Sequence, residues 1–190
     1  MSDIRAALSR ALQSATGRPP RAAEVDVLAA QVSLETAHGS AMYNYNFGGI
    51  KGASPEGATA RYLTHEVTTG GSITLEQGFR AYSSLDAGAR DYVAVMQARF
   101  PQALTRAGSG DVDGFAHALK QAHYYTASEQ QYASGLRSAY GGAPPAQGAS
   151  IATAAAAGPV GEFSSSDALS RVLEAIASSS ARIAAPDPQT

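Results

Sequence analysis

The clearest pattern in the chain is an apolar helical stripe that ends in a carboxylate. Val25, Leu28 and Val32 follow one another at helical intervals, and Glu35 continues the same spacing. Side chains at these intervals share one face of an α-helix. The pattern therefore predicts a helix that packs in a core and places Glu35 where that core meets a cleft.

Helical patterns also flank a short region of alternating residues. Apolar spacing predicts an opening helix near the N-terminus and three helices between residues 84 and 140, with Pro101 ending the first of these three. Residues 61–68 alternate in polarity, and Gly70 with Gly71 offers a hairpin turn to a returning strand. The sequence thus predicts an α+β fold, mainly helical with a small β-hairpin lobe.

The last quarter of the chain has a different composition. Residues 141–163 consist mostly of Gly, Ala, Pro and Ser, which is typical of a flexible linker. Beyond them, Leu169, Leu173 and Ile176 predict one amphipathic helix in a tail of residues 164–190. The predicted globular domain is therefore residues 1–140, and the tail is a candidate segment for docking, export or partner binding.

Composition and charge exclude several classes of function. Only 16% of the 190 residues are charged, the net charge is -2, and Lys and Arg form no basic run, so no nucleic-acid partner is expected. There is no cysteine, which excludes disulfides and thiolate metal sites. The four histidines lack metal-ligand spacing, so neither a metal nor a cofactor is expected. No apolar segment is long enough for a membrane span, and the N-terminus lacks a classical secretory signal.

Glu35 is the strongest candidate for acid catalysis. Its predicted position is half-buried in apolar surroundings at the carbonyl end of a helix. Both features disfavour the charged form of the carboxyl, so its pKa should rise. The glycine-rich residues 46–52 follow closely and suit a tight loop beside a ligand. Taken alone, an acid near a helix end is more often a surface group or an ion-pair partner.

Five sequence blocks, in order, then point to a known family. The chain resembles the glucosaminidase domains of glycoside hydrolase family 73, the class that includes the flagellar rod-cap muralysin. The blocks are Ala30-Gln31-Val32-Ser33-Leu34-Glu35-Thr36, Asn46-Phe47-Gly48-Gly49-Ile50-Lys51-Gly52, Thr64-His65-Glu66, Phe79-Arg80-Ala81-Tyr82 followed by Asp91-Tyr92, and Tyr124-Tyr125-Thr126 followed by Tyr132-Ala133. The resemblance implies a lysozyme-like fold and hydrolysis of the β-1,4 bond that follows N-acetylglucosamine in peptidoglycan glycan strands.

The resemblance also implies roles for three catalytic candidates. Glu35 would protonate the glycosidic oxygen, Glu66 would act on the opposite face of the sugar, and Tyr124 would reach into the cleft. Carboxyl groups about 6.5–9.5 Å apart would predict inversion and about 5 Å retention. Attack by the acetamido group of the substrate itself is the third alternative, with Glu66 as a helper.

Four further residues are candidates for contact with the sugar. Asn46 and Phe47 would line the site, Gly48 would let the backbone approach the ligand, and Tyr62 shares a strand face with Glu66. Because the chain contains no tryptophan, sugar stacking would fall to tyrosines and Phe47. Arg80 and Asp91 are interpreted as structural.

Two other classes of function stay open at this stage. A lytic transglycosylase or muramidase would share the fold and the acid but cut differently, and a non-catalytic domain would bind the cell wall or serve as a secretion scaffold. Action in the periplasm or cell wall without a classical signal peptide predicts delivery by a holin, by flagellar-type export or by a specialised secretion system. The tail would then contact a secretion, flagellar or phage-lysis partner.

Overall fold

A computed structural model describes residues 1–141 apart from residues 69, 70 and 126, with the backbone alone for residues 63–68, 71–73 and 75. The described part consists of six helices and one two-stranded antiparallel sheet, which confirms the predicted α+β class. The helices are α1 (Ser2–Thr16), α2 (Ala22–Glu35), α3 (Leu85–Arg99), α4 (Pro101–Gly108), α5 (Val112–Gln121) and α6 (Glu129–Tyr140). The strands are β1 (Thr59–Thr68) and β2 (Gly71–Arg80), preceded by a short 3-10 turn, Tyr43–Tyr45. Apart from Gly141, the predicted linker and tail lie outside the described residues.

Helix α2 is the centre of the core. Every residue from Val27 to Glu35 is buried, not only the predicted stripe, because α1, α4 and α6 all pack on this helix. The helix ends at Glu35. Ala37 and His38, with φ of 47° and 59°, turn the chain into the left-handed region and stop the helix.

The later helices differ from the prediction at Pro101. Pro101 does not begin a loop after α3. It is the first residue of α4, a helix that the sequence pattern did not predict. Proline suits a first helical turn because no backbone N–H is needed there. Serine, a residue favoured at helix N-caps, precedes both α3 and α6: the Ser84 and Ser128 hydroxyls each accept a backbone N–H, at 3.2 Å.

The hairpin pairs in a continuous antiparallel register from Thr59 opposite Arg80 to Thr68 opposite Gly71. Gly71 therefore belongs to β2 rather than to the turn, and Gly70, the other residue of the predicted turn, lies outside the described residues.

A buried ion pair joins the end of the hairpin to the helical part. Arg80 donates to Asp91 on α3 at 2.7 Å, and the Tyr82 hydroxyl donates to the same carboxylate oxygen at 2.6 Å. Burial, together with the charge of Asp91, raises the pKa of Tyr82 above its ordinary range. These contacts brace the two parts of the fold, in line with the structural interpretation of Arg80 and Asp91.

Candidate active site

Glu35 is the last residue of α2, and its two carboxyl oxygens have different surroundings. Oε1 accepts a hydrogen bond from the Tyr132 hydroxyl at 2.9 Å. Oε2 is buried and has no hydrogen-bond partner among the described residues. Burial raises the pKa of Glu35 from 4.5 to about 7, partly offset by the hydrogen bond from Tyr132. The group is therefore a carboxylic acid that keeps its proton near neutral pH and has one oxygen uncommitted.

A chain of buried polar side chains leads away from Oε1. Gln31, one turn before Glu35 on α2, donates from Nε2 to the Tyr132 hydroxyl at 3.3 Å. Tyr92 on α3 in turn donates its hydroxyl to Gln31 Oε1. Gln31, Tyr92 and Tyr132 are all at most 2% exposed. The three helices α2, α3 and α6 thus meet at the carboxyl through hydrogen bonds.

Tyr124 follows α5 and lies in the same cluster. It is 3% exposed, and its ring packs edge-on against Phe100 at 5.1 Å between centroids. Burial and the nearby charges of Glu35 and Tyr92 raise the pKa of Tyr124 well above its ordinary value. Its hydroxyl has no hydrogen-bond partner among the described residues. The cluster therefore contains two buried polar atoms that a ligand could satisfy, Glu35 Oε2 and the Tyr124 hydroxyl.

Gly48 brings the glycine-rich loop close to this cluster. A Cβ added at Gly48 would lie 3.6 Å from the Tyr124 hydroxyl and 3.7 Å from Cδ2 of Tyr92. The loop backbone therefore closes over both tyrosines, and the lack of a side chain keeps the space beside the Tyr124 hydroxyl open.

Asn46 uses its side chain to hold the loop together. Its amide donates to the carbonyls of Ile50 and Arg80, at 2.9 and 3.0 Å, and its carbonyl accepts from the Ile50 N–H at 2.8 Å. Both amide protons are therefore engaged within the protein. The structure supports a role for Asn46 in shaping the loop rather than in donating to a sugar.

Phe47 does not face the solvent. Its side chain is fully buried and packs against Tyr92, with 5.9 Å between ring centroids. The sugar contact expected from the sequence is not available to this ring, because it belongs to the core behind the site.

Tyr62 lies on β1, at the contact between the hairpin and the 3-10 turn. Its hydroxyl accepts from the side-chain amide of Asn44, and its ring lies 5.5 Å from that of Tyr43. Tyr43 and Tyr45 are 47% and 44% exposed. Aromatic surface thus lines this junction without any tryptophan.

Glu66 lies four residues further along β1 and pairs with Ile73 on β2. Its side chain lies outside the described residues, so its role stays a prediction.

Neither a metal centre nor a membrane segment is found in the described part of the chain. No group of three or more His, Cys, Asp or Glu side chains there could hold a metal ion. None of the described helices combines the length and apolar character needed to cross a bilayer.

Comparison with known proteins decides the family. The family model described as Mannosyl-glycoprotein endo-beta-N-acetylglucosaminidase matches residues 21–142, which is more than half of the chain. The chain belongs to this glucosaminidase family. Membership confirms the expected class of enzyme, a glycoside hydrolase, and the match includes every site residue described above.

Individual relatives of this glucosaminidase agree with the family. The peptidoglycan hydrolase FlgJ of Pseudomonas aeruginosa is 35% identical over 116 residues, which are 56% of this chain and 28% of that protein. The chain therefore spans less than a third of the length of that curated relative.

Solved structures confirm the predicted lysozyme-like fold. The catalytic domain of the autolysin Auto from Listeria monocytogenes matches with a TM-score of 0.57 at 20% identity, over 74% of this chain and 80% of that chain. The C-terminally truncated glycoside hydrolase domain of FlgJ from Salmonella typhimurium matches with a TM-score of 0.50 at 28% identity, over 74% and 95% respectively.

Sequence analysis gave no role to three residues of the candidate site, Gln31, Tyr92 and Tyr132, although all three lie in the family blocks. One signal was available, because Gln31 is a polar residue in a largely apolar helix and lies four positions before Glu35, hence on the same face. The two tyrosines were marked only by their place in the family blocks, since a tyrosine at helical spacing is otherwise expected in a core.

Proposed function

We propose that this glucosaminidase is a peptidoglycan hydrolase that cleaves the β-1,4 bond following N-acetylglucosamine, with Glu35 as the general acid. The observation that carries the proposal is the state of the Glu35 carboxyl. It is buried, its pKa is raised to about 7, and its Oε2 has no hydrogen-bond partner among the described residues. The name of the FlgJ relative supports peptidoglycan as the substrate.

In the proposed reaction the Oε2–H bond of Glu35 breaks as the proton moves to the glycosidic oxygen. The bond between that oxygen and the anomeric carbon breaks at the same time, and its electron pair leaves with the oxygen. Positive charge then develops on the sugar ring, and a water molecule supplies the hydroxyl group of the new reducing end. Its other proton passes to Glu66 in the inverting alternative, or back to Glu35 in the other two. Proton donation of this kind typically contributes about 10²–10⁴ in rate.

We assign the opposite face of the sugar to Glu66. Residues 62 and 66 share one face of β1, and the Tyr62 side chain contacts the turn that leads into the loop at Gly48. This placement supports Glu66 as the base or nucleophile. The choice between inversion, retention and attack by the acetamido group depends on the distance between the two carboxyls.

Tyr124 and Tyr62 are proposed as substrate contacts. The unpartnered Tyr124 hydroxyl beside Glu35 could bind the acetamido group or the attacking water. Tyr62, with the exposed Tyr43 and Tyr45, offers aromatic surface to a sugar ring. Gly48, whose added Cβ would lie 3.6 Å from the Tyr124 hydroxyl, places no side chain against that group.

Digestion of purified peptidoglycan tests the proposal. The products are reduced with borohydride and analysed by mass spectrometry, comparing wild type, Glu35→Gln, and Glu129→Gln as a control at an exposed carboxyl. We expect reduced N-acetylglucosamine ends from wild type and the control, and a loss of about 10²-fold or more in Glu35→Gln.

Other products would contradict the proposal in distinct ways. Reduced N-acetylmuramic acid ends would indicate a muramidase, and anhydro ends a lytic transglycosylase. A folded protein that binds the cell wall without releasing product would indicate a binding domain.

The proposed substrate implies action in the cell wall or periplasm. We propose that the protein is delivered there by a holin, by flagellar-type export or by a specialised secretion system. Residues 164–190 would contact the delivery partner. Fusing this segment to a reporter and following its export would test the tail.

A further inference from the structure

The hydrogen bonds around Glu35 have a direction, set by how many protons each group carries. A tyrosine hydroxyl has one proton to donate, while a glutamine side chain has a donor end and an acceptor end. Tyr92 donates to Gln31 Oε1, Gln31 Nε2 donates to the Tyr132 oxygen, and Tyr132 donates to Glu35 Oε1. The hydrogen-bond chain therefore runs in one direction, from α3 through α2 and α6 to the Glu35 carboxyl.

We propose that Tyr92, Gln31 and Tyr132 are positioning residues that keep the catalytic proton of Glu35 on Oε2. The inference rests on the proposed role of Glu35 as general acid. Because Gln31 Nε2 occupies the Tyr132 oxygen as donor, the Tyr132 proton is directed at Glu35 Oε1. In a carboxylic acid the carbonyl oxygen accepts a hydrogen bond better than the hydroxyl oxygen does, so the bond from Tyr132 favours Oε1 as the carbonyl oxygen and Oε2 as the oxygen that carries the acid proton.

Tyr92 favours this orientation of the hydrogen-bond chain, because Gln31 Oε1 accepts the proton of its hydroxyl. If the Gln31 amide were reversed, Nε2 would face Tyr92 and Oε1 would take the Tyr132 proton. Glu35 could then hold its own proton on Oε1 and donate it to Tyr132, away from a substrate. The bond from Tyr92 to Gln31 Oε1 opposes this reversal, although it lies two side chains away from the carboxyl.

The same chain serves the acid after it has reacted. Once Oε2 has lost its proton, the buried carboxylate still accepts from Tyr132, and this bond lowers the pKa of Glu35 against the effect of burial. Burial and, in addition, the charge of Glu35 raise the pKa values of the Tyr92 and Tyr124 hydroxyls. Their pKa values, like that of Tyr132, are raised well above the ordinary value, so these hydroxyls stay neutral where Glu35 titrates.

Charged groups on the remaining neighbours of α2 pair elsewhere. Arg5 of α1 pairs with Asp26, and Arg106 of α4 pairs with Asp111. They therefore do not compete with the hydroxyl chain for the carboxyl.

Tyr125 provides a matched control. Its ring stacks on that of Tyr132 at 3.9 Å, it is also nearly fully buried, and its hydroxyl donates to the Ala116 carbonyl at 3.0 Å. Tyr125→Phe thus removes a buried tyrosine hydroxyl next to the chain without touching it. Gln31→Met removes the glutamine amide from the hydrogen-bond chain and replaces it with a side chain of similar volume.

The experiment compares full-length wild type with Tyr132→Phe, Tyr92→Phe, Gln31→Met and Tyr125→Phe on a soluble peptidoglycan glycan fragment. We expect kcat to fall about 10- to 100-fold in Tyr132→Phe with KM nearly unchanged. Tyr92→Phe and Gln31→Met should fall less, and Tyr125→Phe should match wild type.

The pKa of Glu35 gives a second readout that does not depend on activity. Titration of ¹³C-labelled glutamate carboxyls by NMR, with Glu35→Gln to assign the signal, should show a higher pKa in Tyr132→Phe. A smaller rise is expected in Tyr92→Phe, and no rise in Tyr125→Phe. Tyr92→Phe carries the test if Tyr132→Phe does not fold, because it removes only a hydroxyl two side chains from Glu35.

The two proposals fail differently. If Glu35→Gln keeps its activity, the proposed function is wrong. If Glu35→Gln is inactive while Tyr132→Phe and Tyr92→Phe behave like Tyr125→Phe in both readouts, only the positioning role is overturned.

Discussion

Glu35 has a pKa of about 7 in the folded protein, against an ordinary value of 4.5. The folded state therefore binds this proton more tightly than the unfolded chain between those two pH values. The free energy of unfolding should fall as pH rises from about 4.5 to about 7 and stay low above it, a loss on the order of 3 kcal/mol. We expect Glu35→Gln, which carries no charge, to be more stable than wild type at pH 8 and similar to it at pH 4.

Urea unfolding at pH 4, 6 and 8 measures this difference. Glu76→Gln, at an exposed carboxyl whose partner Arg61 stays charged at all three pH values, is the control and should show no such pH-dependent difference from wild type. A Glu35→Gln variant less stable than wild type at pH 8 would show that the carboxylate is stabilised in the fold, contrary to the pKa shift.

At the residue scale, the sequence predicted that Glu35 is buried with a raised pKa, but not which side chains form hydrogen bonds with it. A carboxylate that continues an apolar stripe implies burial, and burial implies a raised pKa; both follow from neighbours within the same helix. The donor to Oε1 comes from Tyr132, about a hundred positions away, and local spacing carries no information about such a contact. Phe47 was misjudged for the same reason, because only the packing of α3 shows that its ring faces the core.

At the scale of elements, α3 approaches the 3-10 turn so closely that only glycine fits. A Cβ added at Gly88 would lie 1.9 Å from the Tyr45 carbonyl oxygen and 3.3 Å from Cδ2 of Phe47. Replacing glycine by alanine inside a helix ordinarily stabilises it by about 1 kcal/mol. Here the clash should dominate, and we expect Gly88→Ala to lower the free energy of unfolding by about 1–3 kcal/mol.

Gly108→Ala is the matched control on another helix. Its added Cβ would lie no closer than 3.8 Å to Nη1 of Arg21, an ordinary contact. Urea unfolding should show Gly108→Ala at least as stable as wild type. Equal stability of the two variants would mean that α3 and the turn can separate at little cost.

Helices and strands were predicted correctly where neighbouring residues determine them, and incorrectly where tertiary packing does. The alternation of residues 61–68 and the serine caps are local signals, and both elements are present. Pro101 is an ambiguous signal, because a proline can end one helix and can equally begin another. The choice depends on α4 packing against α2 and α5, which no local pattern reveals.

At the scale of the whole molecule, the site is assembled from separate parts of the chain. Glu35 and Gln31 come from α2, Tyr92 from α3, Tyr124 from the segment after α5, and Tyr132 from α6. The order of motifs identified the family, because a family pattern records which distant segments come together. Spacing within the sequence alone could not supply that information.

All of these parts lie within residues 1–141, which leads to a prediction about the rest of the chain. The family match ends at residue 142, and α6 ends at Tyr140 with Gly141 as its cap. A chain ending at residue 141 should therefore fold and cleave peptidoglycan with a kcat/KM within about twofold of that of the 190-residue chain. Digestion assays with both lengths, each also carrying Glu35→Gln as the inactive reference, provide the measurement. A shortened chain that keeps its helical content and melting temperature but loses activity would place part of the substrate site in residues 142–190, and the predicted division into a catalytic domain, a linker and a tail would then be wrong.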